Sequence, residues 1–259
     1  MDDLDEFRAV ADRLADAARQ ETLARFRTPL DIDSKRSDFD PVTEADRAAE
    51  RAMRAILAQM RPEDGILGEE EGPVASRSGW TWVLDPVDGT RAFISGMPTW
   101  GVLIGLRDAG GPRLGVIDQP FTGERFTGGP GLAEWRRGAE RRDLSVRGTR
   151  DLSQATILTT FPEVGSATEG AAFARVAGAC RLTRYGMDCY AYALLAAGHV
   201  DLVIEAGLQA YDICAPIAVV QAAGGIVTDW QGKPAHDGGT ALAAATPELH
   251  RAAMDLLNG

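Results

Sequence analysis

The string Asp85-Pro86-Val87-Asp88-Gly89-Thr90 constrains this chain most, because it sets two carboxylates around a sharp turn after the apolar run TWVL. Pro86 keeps the preceding Asp85 extended, and Gly89 permits a positive φ or a close approach to a ligand. Amides from Val87 to Thr90 can cradle a phosphate where a helix begins. Oxygen ligands of this kind suit Mg²⁺ or Mn²⁺ and not zinc. The string therefore predicts a cation and phosphate site at a strand end, with an ordinary acidic turn as the alternative.

A second acidic stretch, Gly68 to Glu71, lies upstream of this string. Taken alone it is typical of a solvated loop, but together the two stretches offer enough carboxylates for a cation site. The net charge is −11 and the pI about 4.8. So acidic a chain repels nucleic acid and anionic membranes, and bound divalent cations are the simplest way for it to attract a phosphate ester.

The bulk composition indicates an ordinary globular protein. The 259 residues are 45% hydrophobic and 25% charged, which suits one large domain or two tightly packed ones. The start MDDLDEF lacks the features of a signal peptide, and no apolar run approaches ~18 residues, so we expect a cytoplasmic protein. The three cysteines show no CxxC spacing and are predicted to be buried free thiols.

Hydrophobic spacing predicts two helices and then a change of pattern. Residues 3–27 form an amphipathic helix, a polar stretch covers 31–40, and Thr43 caps a second helix that ends near residue 60 with Asp46 in its first turn. Residues 80–144 contain short apolar runs typical of strands joined by hairpins. After residue 145 strands alternate with helices, which are predicted at 168–178, 188–197, 211–223 and from Pro247 onward. Residues 1–147 are therefore expected to form an α+β half and 148–259 an α/β half.

These motifs, in this order, resemble the inositol monophosphatase superfamily over nearly the whole chain. The matching positions are Thr43 to Asp46, Gly68 to Glu70, Asp85 to Thr90, Tyr211-Asp212 and Ala223 to Gly225. Tyr211 stands where many members have Trp, and the aromatic character is kept. The resemblance implies a layered αβαβα sandwich, an α+β half on an α/β half, with a metal-dependent phosphatase site between them.

The resemblance also implies residue roles. Glu69, Asp85 and the Val87 carbonyl would hold a first Mg²⁺, and Asp85, Asp88 and Asp212 a second, with Glu69 helping to hold a weak third; Mn²⁺ is the alternative ion. Glu70 and Thr90 would orient and help deprotonate the nucleophilic water, supported by Asp46, with no covalent phosphoenzyme. The phosphate would lie against Glu69, Val87, Asp88, Gly89, Thr90 and Asp212. A lithium-sensitive homodimer that acts on a small phosphate ester is expected.

The second half suggests the substrate. The stretches 91–101 and 184–208 are similar to the histidinol-phosphate phosphatases of this superfamily. Histidinol phosphate carries an ammonium and an imidazole, for which Asp188 and Glu205 are apt partners. Asp188 could instead be a helix N-cap. Arg184 could contact the substrate, cross a dimer interface or form a structural ion pair.

Two other functions stay open from the sequence. One is an inositol monophosphatase or a broad sugar-phosphate phosphatase. The other is a regulatory binding module that uses the same fold without catalysis. The complete set of acidic motif positions favours an enzyme over a module, and we expect the histidinol-phosphate activity, which belongs to histidine biosynthesis.

Overall fold

The computed structural model describes residues 2–29, 32–34 and 41–259. The helices are α1 (Asp2–Leu23), α2 (Glu44–Met60), α3 (Thr90–Ile94), α4 (Ala167–Ala179), α5 (Tyr190–Ala196), α6 (Ala210–Ala222) and α7 (Pro247–Asn258). The strands are β1 (Ile32–Ser34), β2 (Pro41–Thr43), β3 (Gly65–Gly68), β4 (Thr81–Asp88), β5 (Gly101–Asp108), β6 (Gly111–Gln119), β7 (Glu124–Gly129), β8 (Leu132–Arg137), β9 (Glu140–Asp143), β10 (Thr156–Thr159), β11 (Leu182–Tyr185), β12 (Leu202–Gln209), β13 (Ile226–Thr228) and β14 (Gly238–Ala244).

Two sheets form the framework. The first has seven strands in the order β3-β4-β5-β6-β7-β8-β9, antiparallel except for the parallel pair β3 and β4. The second has five strands in the order β11-β10-β12-β14-β13, in which β10 pairs in parallel with β11 and β12 while β14 is antiparallel to both neighbours. The chain passes from one sheet to the other between β9 and β10. The division into units at residues 147 and 148 stays a prediction.

Helices cover both outer faces and fill the space between the sheets. α1 and α2 bury Leu14 and Met53 against Trp82 of the first sheet. α5 and α6 contribute the apolar layer between the two sheets, and α4 and α7 cover the far side of the second sheet. The order of layers is therefore helix, sheet, helix, sheet, helix, which confirms the predicted αβαβα sandwich.

Each of the six predicted helices is found, most with shifted ends. Thr43 caps α2, and Thr246 caps α7 with Pro247 in its first turn, as predicted. The first helix ends at Leu23 and not at residue 27, because residues 24–27 form turns that close at Arg27, whose φ of 59° is left-handed and not helical. Of the polar stretch 31–40, only 32–34 lies among the described residues, where it pairs with β2. The short strand β3 was not predicted.

Two expectations from composition can be compared with the fold. All three cysteines lie in the described part of the chain and are unpaired; Cys189 and Cys214 are buried and Cys180 is half-buried. Among residues 2–29, 32–34 and 41–259, no helix combines the length and the apolar character needed to cross a membrane.

A row of glycines lets α6 lie directly on the first sheet. Gly105, Gly115 and Gly128 are register partners on β5, β6 and β7. A Cβ at Gly115 would overlap the carbonyl oxygen of Ala215, and one at Gly128 would overlap the backbone of Val219. Close packing of a helix backbone on a sheet requires the missing side chains. This contact sets the depth of α6, whose first turn carries Asp212.

We expect Gly115→Ala to destabilise the protein by roughly 1–3 kcal/mol, because the added methyl group must displace α6 from the sheet. Gly178→Ala in α4 is the matched control, since a Cβ there meets nothing within 4 Å and alanine favours a helix, so a gain of up to about 1 kcal/mol is expected. Urea unfolding of both variants measures the difference. A Gly115→Ala protein as stable as the wild type would contradict the described contact.

Candidate active site

A β-bulge brings Asp85 and Asp88 to the same place. Residues three apart on a regular strand point to opposite faces. The pairing of β4 with β5 shifts between Asp85 and Asp88, which oppose Leu103 and Gly101, so β4 carries one extra residue. Such a bulge redirects side chains. Its inner geometry is fixed by the Val87 amide, which donates to Asp85 Oδ1 at 3.0 Å.

Asp212 completes the cluster from the first turn of α6. Its Oδ2 accepts a hydrogen bond from the Gln209 amide at 2.7 Å, within a capping box that orients the carboxylate. One carboxylate oxygen from each of Asp85, Asp88 and Asp212 lies within 4.8 Å of the others. The structure thus brings together three of the acidic residues that the family resemblance implies as cation ligands, and their role as ligands stays a prediction.

Burial, and then the crowding of carboxylates, raises the pKa values of Asp85 and Asp88. Burial raises the pKa of Asp85 well above its usual range, and the charges of Glu69, Asp88 and Asp212 raise it further. The pKa of Asp88 is also raised well above its usual range, first by burial and then by Asp188 and Asp212, although the Cys189 amide donates to Asp88 at 2.6 Å and opposes the shift. Each carboxylate is therefore destabilised in its ionised form, and a cation would relieve that repulsion.

The donor set of the cluster fits a hard divalent cation. Its ligand atoms are carboxylate oxygens, which Mg²⁺ and Mn²⁺ prefer. The Tyr192 hydroxyl is buried nearby and has no hydrogen-bond partner within the described ranges. Burial raises its pKa well above the usual range, and the charges of Glu205, Asp88 and Asp212 add to the shift. A buried hydroxyl of this kind can donate to a water or anion that a cation brings into the site.

Asp46 connects α2 to the end of β4. Its Oδ2 accepts bonds from the amide and hydroxyl of Thr43, at 2.9 and 2.6 Å, at the start of the helix. Its Oδ1 lies 3.3 Å from Thr90 Oγ1, which is also 3.1 Å from the Val87 carbonyl. Thr90 follows Gly89, whose φ of 86° is the left-handed conformation predicted for this glycine. The predicted association of Asp46 with Thr90 is thus present in the geometry.

A buried glutamate that sequence reasoning missed binds the stretch from Gly68 to Glu71, called the acidic loop below. Glu69 and Glu70 are half-buried and Glu71 is exposed, and Glu50 of α2 accepts the amides of Glu70 and Glu71 at 2.8 and 3.1 Å. The side chain of Glu50 is fully buried. Its spacing from Asp46, Met53 and Leu57 could have revealed it, because a charged residue on a buried helical stripe requires a partner.

A cleft of about 320 Å³ opens beside the cluster. Seven of its lining residues were predicted from sequence and others lie in the loop after β10; the full lining is Glu69, Asp88, Gly89, Thr90, Arg91, Thr160, Phe161, Asp188, Glu205, Ala206, Gly207, Leu208, Gln209, Tyr211 and Asp212. A volume near 300 Å³ is at the lower end of the range for small-molecule sites. The cleft therefore adjoins the acidic cluster through Asp88 and Asp212.

Asp188 faces this cleft and is not a helix cap, so the alternative N-cap interpretation is wrong. α5 begins at Tyr190 with Cys189 as its N-cap residue, and Asp188 precedes both with a φ of 45°. A Cβ at Gly89 would lie 2.8 Å from Asp188 Cγ, so this glycine also makes room for the carboxylate. Burial raises the pKa of Asp188 to about 6, while a hydrogen bond from Thr99 and the charge of Arg91 oppose the shift.

Glu205 lines the same cleft and is held by two threonines of the β10 end. Thr159 Oγ1 donates to Glu205 Oε2 at 3.1 Å, and the amide and hydroxyl of Thr160 donate to Oε1 at 2.7 and 3.0 Å. Burial raises the pKa of Glu205 to about 7 despite these bonds. The two threonines were not predicted, although the meeting of neighbouring parallel strands at one sheet edge is the signal that points to them.

Arg91 and Phe161 form the exposed rim of the cleft. The Arg91 guanidinium lies 5.0 Å from the centre of the Phe161 ring, and 43% of Phe161 is exposed. Arg184, by contrast, is exposed on β11 opposite Leu158 and does not belong to the residues that line the cleft. A contact between Arg184 and a substrate bound in this cleft is therefore not apparent, and its role at a subunit interface stays a prediction.

The chain is similar to known phosphatases in sequence and in fold. Residues 3–258 match the inositol monophosphatase family. A chloroplastic bifunctional phosphatase of Arabidopsis thaliana is 46% identical to this chain over 89% of its residues. The aligned part covers 66% of the length of that relative. A histidinol-phosphatase of Mycobacterium tuberculosis is 36% identical over 95% of each chain. A solved inositol monophosphatase from Zymomonas mobilis is 41% identical, with a TM-score of 0.86 over 97% of each chain. The chain therefore belongs to the inositol monophosphatase family and is a phosphatase.

Proposed function

We propose that this phosphatase hydrolyses phosphate monoesters with Mg²⁺ held by Glu69, Asp85, Asp88, Asp212 and the carbonyl oxygen of Val87. The observation that carries the proposal is the convergence of three carboxylate oxygens within 4.8 Å at the mouth of a cleft. Two or three bound cations would neutralise the phosphate and stabilise the attacking and leaving oxygens of an in-line displacement. Mn²⁺ is the alternative ion because it accepts the same ligands.

The residues around Thr90 would orient the attacking water. When the Thr90 hydroxyl donates to Asp46 or to the Val87 carbonyl, its lone pairs are available to a water in the cleft. Glu70, held by its amide to α2, would accept the proton as the water oxygen attacks phosphorus. The bond from phosphorus to the ester oxygen would break as the water attacks, and the ester oxygen would take a proton from solvent water and leave as the alcohol, without a covalent intermediate on the protein.

We expect chelation with EDTA to abolish hydrolysis and Mg²⁺ to restore it. Asp88→Asn should lower kcat by on the order of 10³-fold, because the site loses one charge that holds and positions the cations. Steady-state kinetics on a phosphate monoester with millimolar Mg²⁺ measures both effects. Asp255→Asn on the exposed side of α7 is the matched control and should stay within about twofold of the wild type. Full activity in EDTA, or an Asp88→Asn enzyme with a kcat near that of the wild type, would contradict the mechanism.

We infer that the preferred substrate is L-histidinol phosphate, hydrolysed to L-histidinol and phosphate. Two buried carboxyl groups, Asp188 and Glu205, line the cleft beside the acidic cluster, and burial raises their pKa values to about 6 and 7. A neighbouring ammonium or imidazolium favours the ionised form of such groups, so a cationic substrate gains more from them than a neutral one does. Within the described ranges, Thr159 is the one donor to Glu205 Oε2, so this oxygen can accept a further hydrogen bond.

The aromatic rim of the cleft suits a planar group. Phe161 is 43% exposed beside the cleft, and its ring offers a surface on which a neutral imidazole can stack. The Mycobacterium tuberculosis relative, named a histidinol-phosphatase, is aligned over 95% of its length. A second candidate is inositol monophosphate, which the 41% identity to the Zymomonas mobilis inositol monophosphatase favours.

Asp188→Asn separates these two substrates. Hydrogen bonds to charged groups contribute roughly 1.5–3 kcal/mol, so kcat/KM for histidinol phosphate should fall by about one to two decades. Hydrolysis of inositol monophosphate should change only a few-fold, because that substrate has no cation to pair with the carboxylate. The measurement is the ratio of the two kcat/KM values in wild type and variant.

Two results would contradict this assignment. An unchanged ratio would exclude Asp188 from the specificity site. A wild-type preference for inositol monophosphate would favour the second candidate, whatever the effect of Asp188→Asn. Asp255→Asn again serves as the control and should leave the ratio unchanged. A general loss of folded enzyme would lower kcat/KM for both substrates by the same factor.

A further inference from the structure

Glu50 binds the backbone of the acidic loop through both of its carboxylate oxygens. Its side chain is fully buried on α2, and its two oxygens accept different amides, Oε2 from Glu70 at 2.8 Å and Oε1 from Glu71 at 3.1 Å. A carboxylate that accepts two consecutive amides fixes the backbone between them. The contact with Glu50 therefore fixes the backbone that carries the side chains of Glu69 and Glu70.

Gly68 leaves room for this contact. A Cβ at Gly68 would overlap the carboxylate of Glu50, so only glycine allows the oxygens to reach the following amides. Arg54, one turn along α2, completes the contact: its Nε donates to Glu50 Oε1 at 2.8 Å and its Nη2 donates to the Glu71 carbonyl at 2.9 Å. The helix thus holds both the amides and a carbonyl of the loop.

The same helix face also holds the other half of the site. Asp46 and Glu50 are four residues apart, which places them on one face of α2. Asp46 lies within hydrogen-bonding distance of Thr90, while Glu50 binds the amide of Glu70. One rigid turn of helix therefore spans the two residues proposed to orient water.

We propose that Glu50 is a positioning residue that fixes Glu69 and Glu70 relative to Thr90 and thereby sets the affinity of the site for divalent cations and the orientation of the water. This inference rests on the proposed function, because Glu69 is there a cation ligand and Glu70 a proton acceptor. It differs from a purely structural ion pair between Glu50 and Arg54, which would affect stability alone.

The test is Glu50→Gln, which keeps the size of the side chain but turns one acceptor into a donor that faces a loop amide. Residues that orient metal ligands typically change metal affinity or activity by 10–100-fold when replaced. The Kd for Mn²⁺, measured by calorimetry without substrate, should rise by about 10-fold or more, and kcat should fall by a similar factor. Hydrogen exchange of the amides at 69–71 should become faster.

Asp64→Asn is the matched control. Asp64 is a buried carboxylate at the opposite end of β3 that accepts bonds from Arg61, Ser78 and Trp82. Its replacement should lower the melting temperature but leave the Mn²⁺ Kd and the exchange of residues 69–71 unchanged. Gly68→Ala is a second probe, which also serves if Glu50→Gln does not fold. The added methyl group displaces the carboxylate of Glu50 while Glu50 itself remains. We expect Gly68→Ala to weaken Mn²⁺ binding as Glu50→Gln does.

The possible failures are distinguishable. If the wild type binds Mn²⁺ and hydrolyses phosphate monoesters while Glu50→Gln and Gly68→Ala keep the wild-type Kd and kcat, the positioning role of Glu50 is wrong and the proposed function stands. If the wild type itself binds no Mn²⁺, both the proposed function and the role of Glu50 are wrong.

Discussion

The close contact between α6 and the glycine row of the first sheet is the constraint on which the site depends. Because Gly105, Gly115 and Gly128 lack side chains, the helix backbone lies directly on β5, β6 and β7. That depth brings the first turn of α6, with Asp212, to the bulged end of β4. A helix held away by even one methyl layer would separate Asp212 from Asp85 and Asp88.

The assembly of these carboxylates is unfavourable in itself, and the surrounding structure enforces it. Burial and mutual repulsion raise the pKa values of Asp85 and Asp88. Rigid elements on every side, namely the bulge of β4, the capping box of α6 and the contact of Glu50 with the acidic loop, prevent the groups from moving apart. Strain of this kind at a cluster of oxygen ligands is the expected signature of a cation site.

The layered sandwich and the acidic cluster were implied by the resemblance to the inositol monophosphatase superfamily, whereas individual helices and the end of β4 left local signals in the sequence. Hydrophobic spacing located α2 and α7, and the string from Asp85 to Thr90 located the strand end. The bulge, the glycine row and Glu50 were missed, because each depends on which strands are neighbours and on how deep a helix packs, which spacing does not encode. Asp188 was assigned to the cleft or to a helix cap from sequence, and the cap is excluded because Cys189 is the N-cap residue of α5 and Asp188 precedes it with a φ of 45°.

The central claim is that the carboxylates of Asp85, Asp88 and Asp212 hold divalent cations against a phosphate. The most direct measurement is a crystal structure with Mn²⁺ and inorganic phosphate, in which anomalous scattering locates the manganese. Our account predicts two Mn²⁺ ions about 3.5–4 Å apart, both bound by oxygens of this cluster and both adjacent to the phosphate. Phosphate bound in the cleft without anomalous signal at these carboxylates would contradict it.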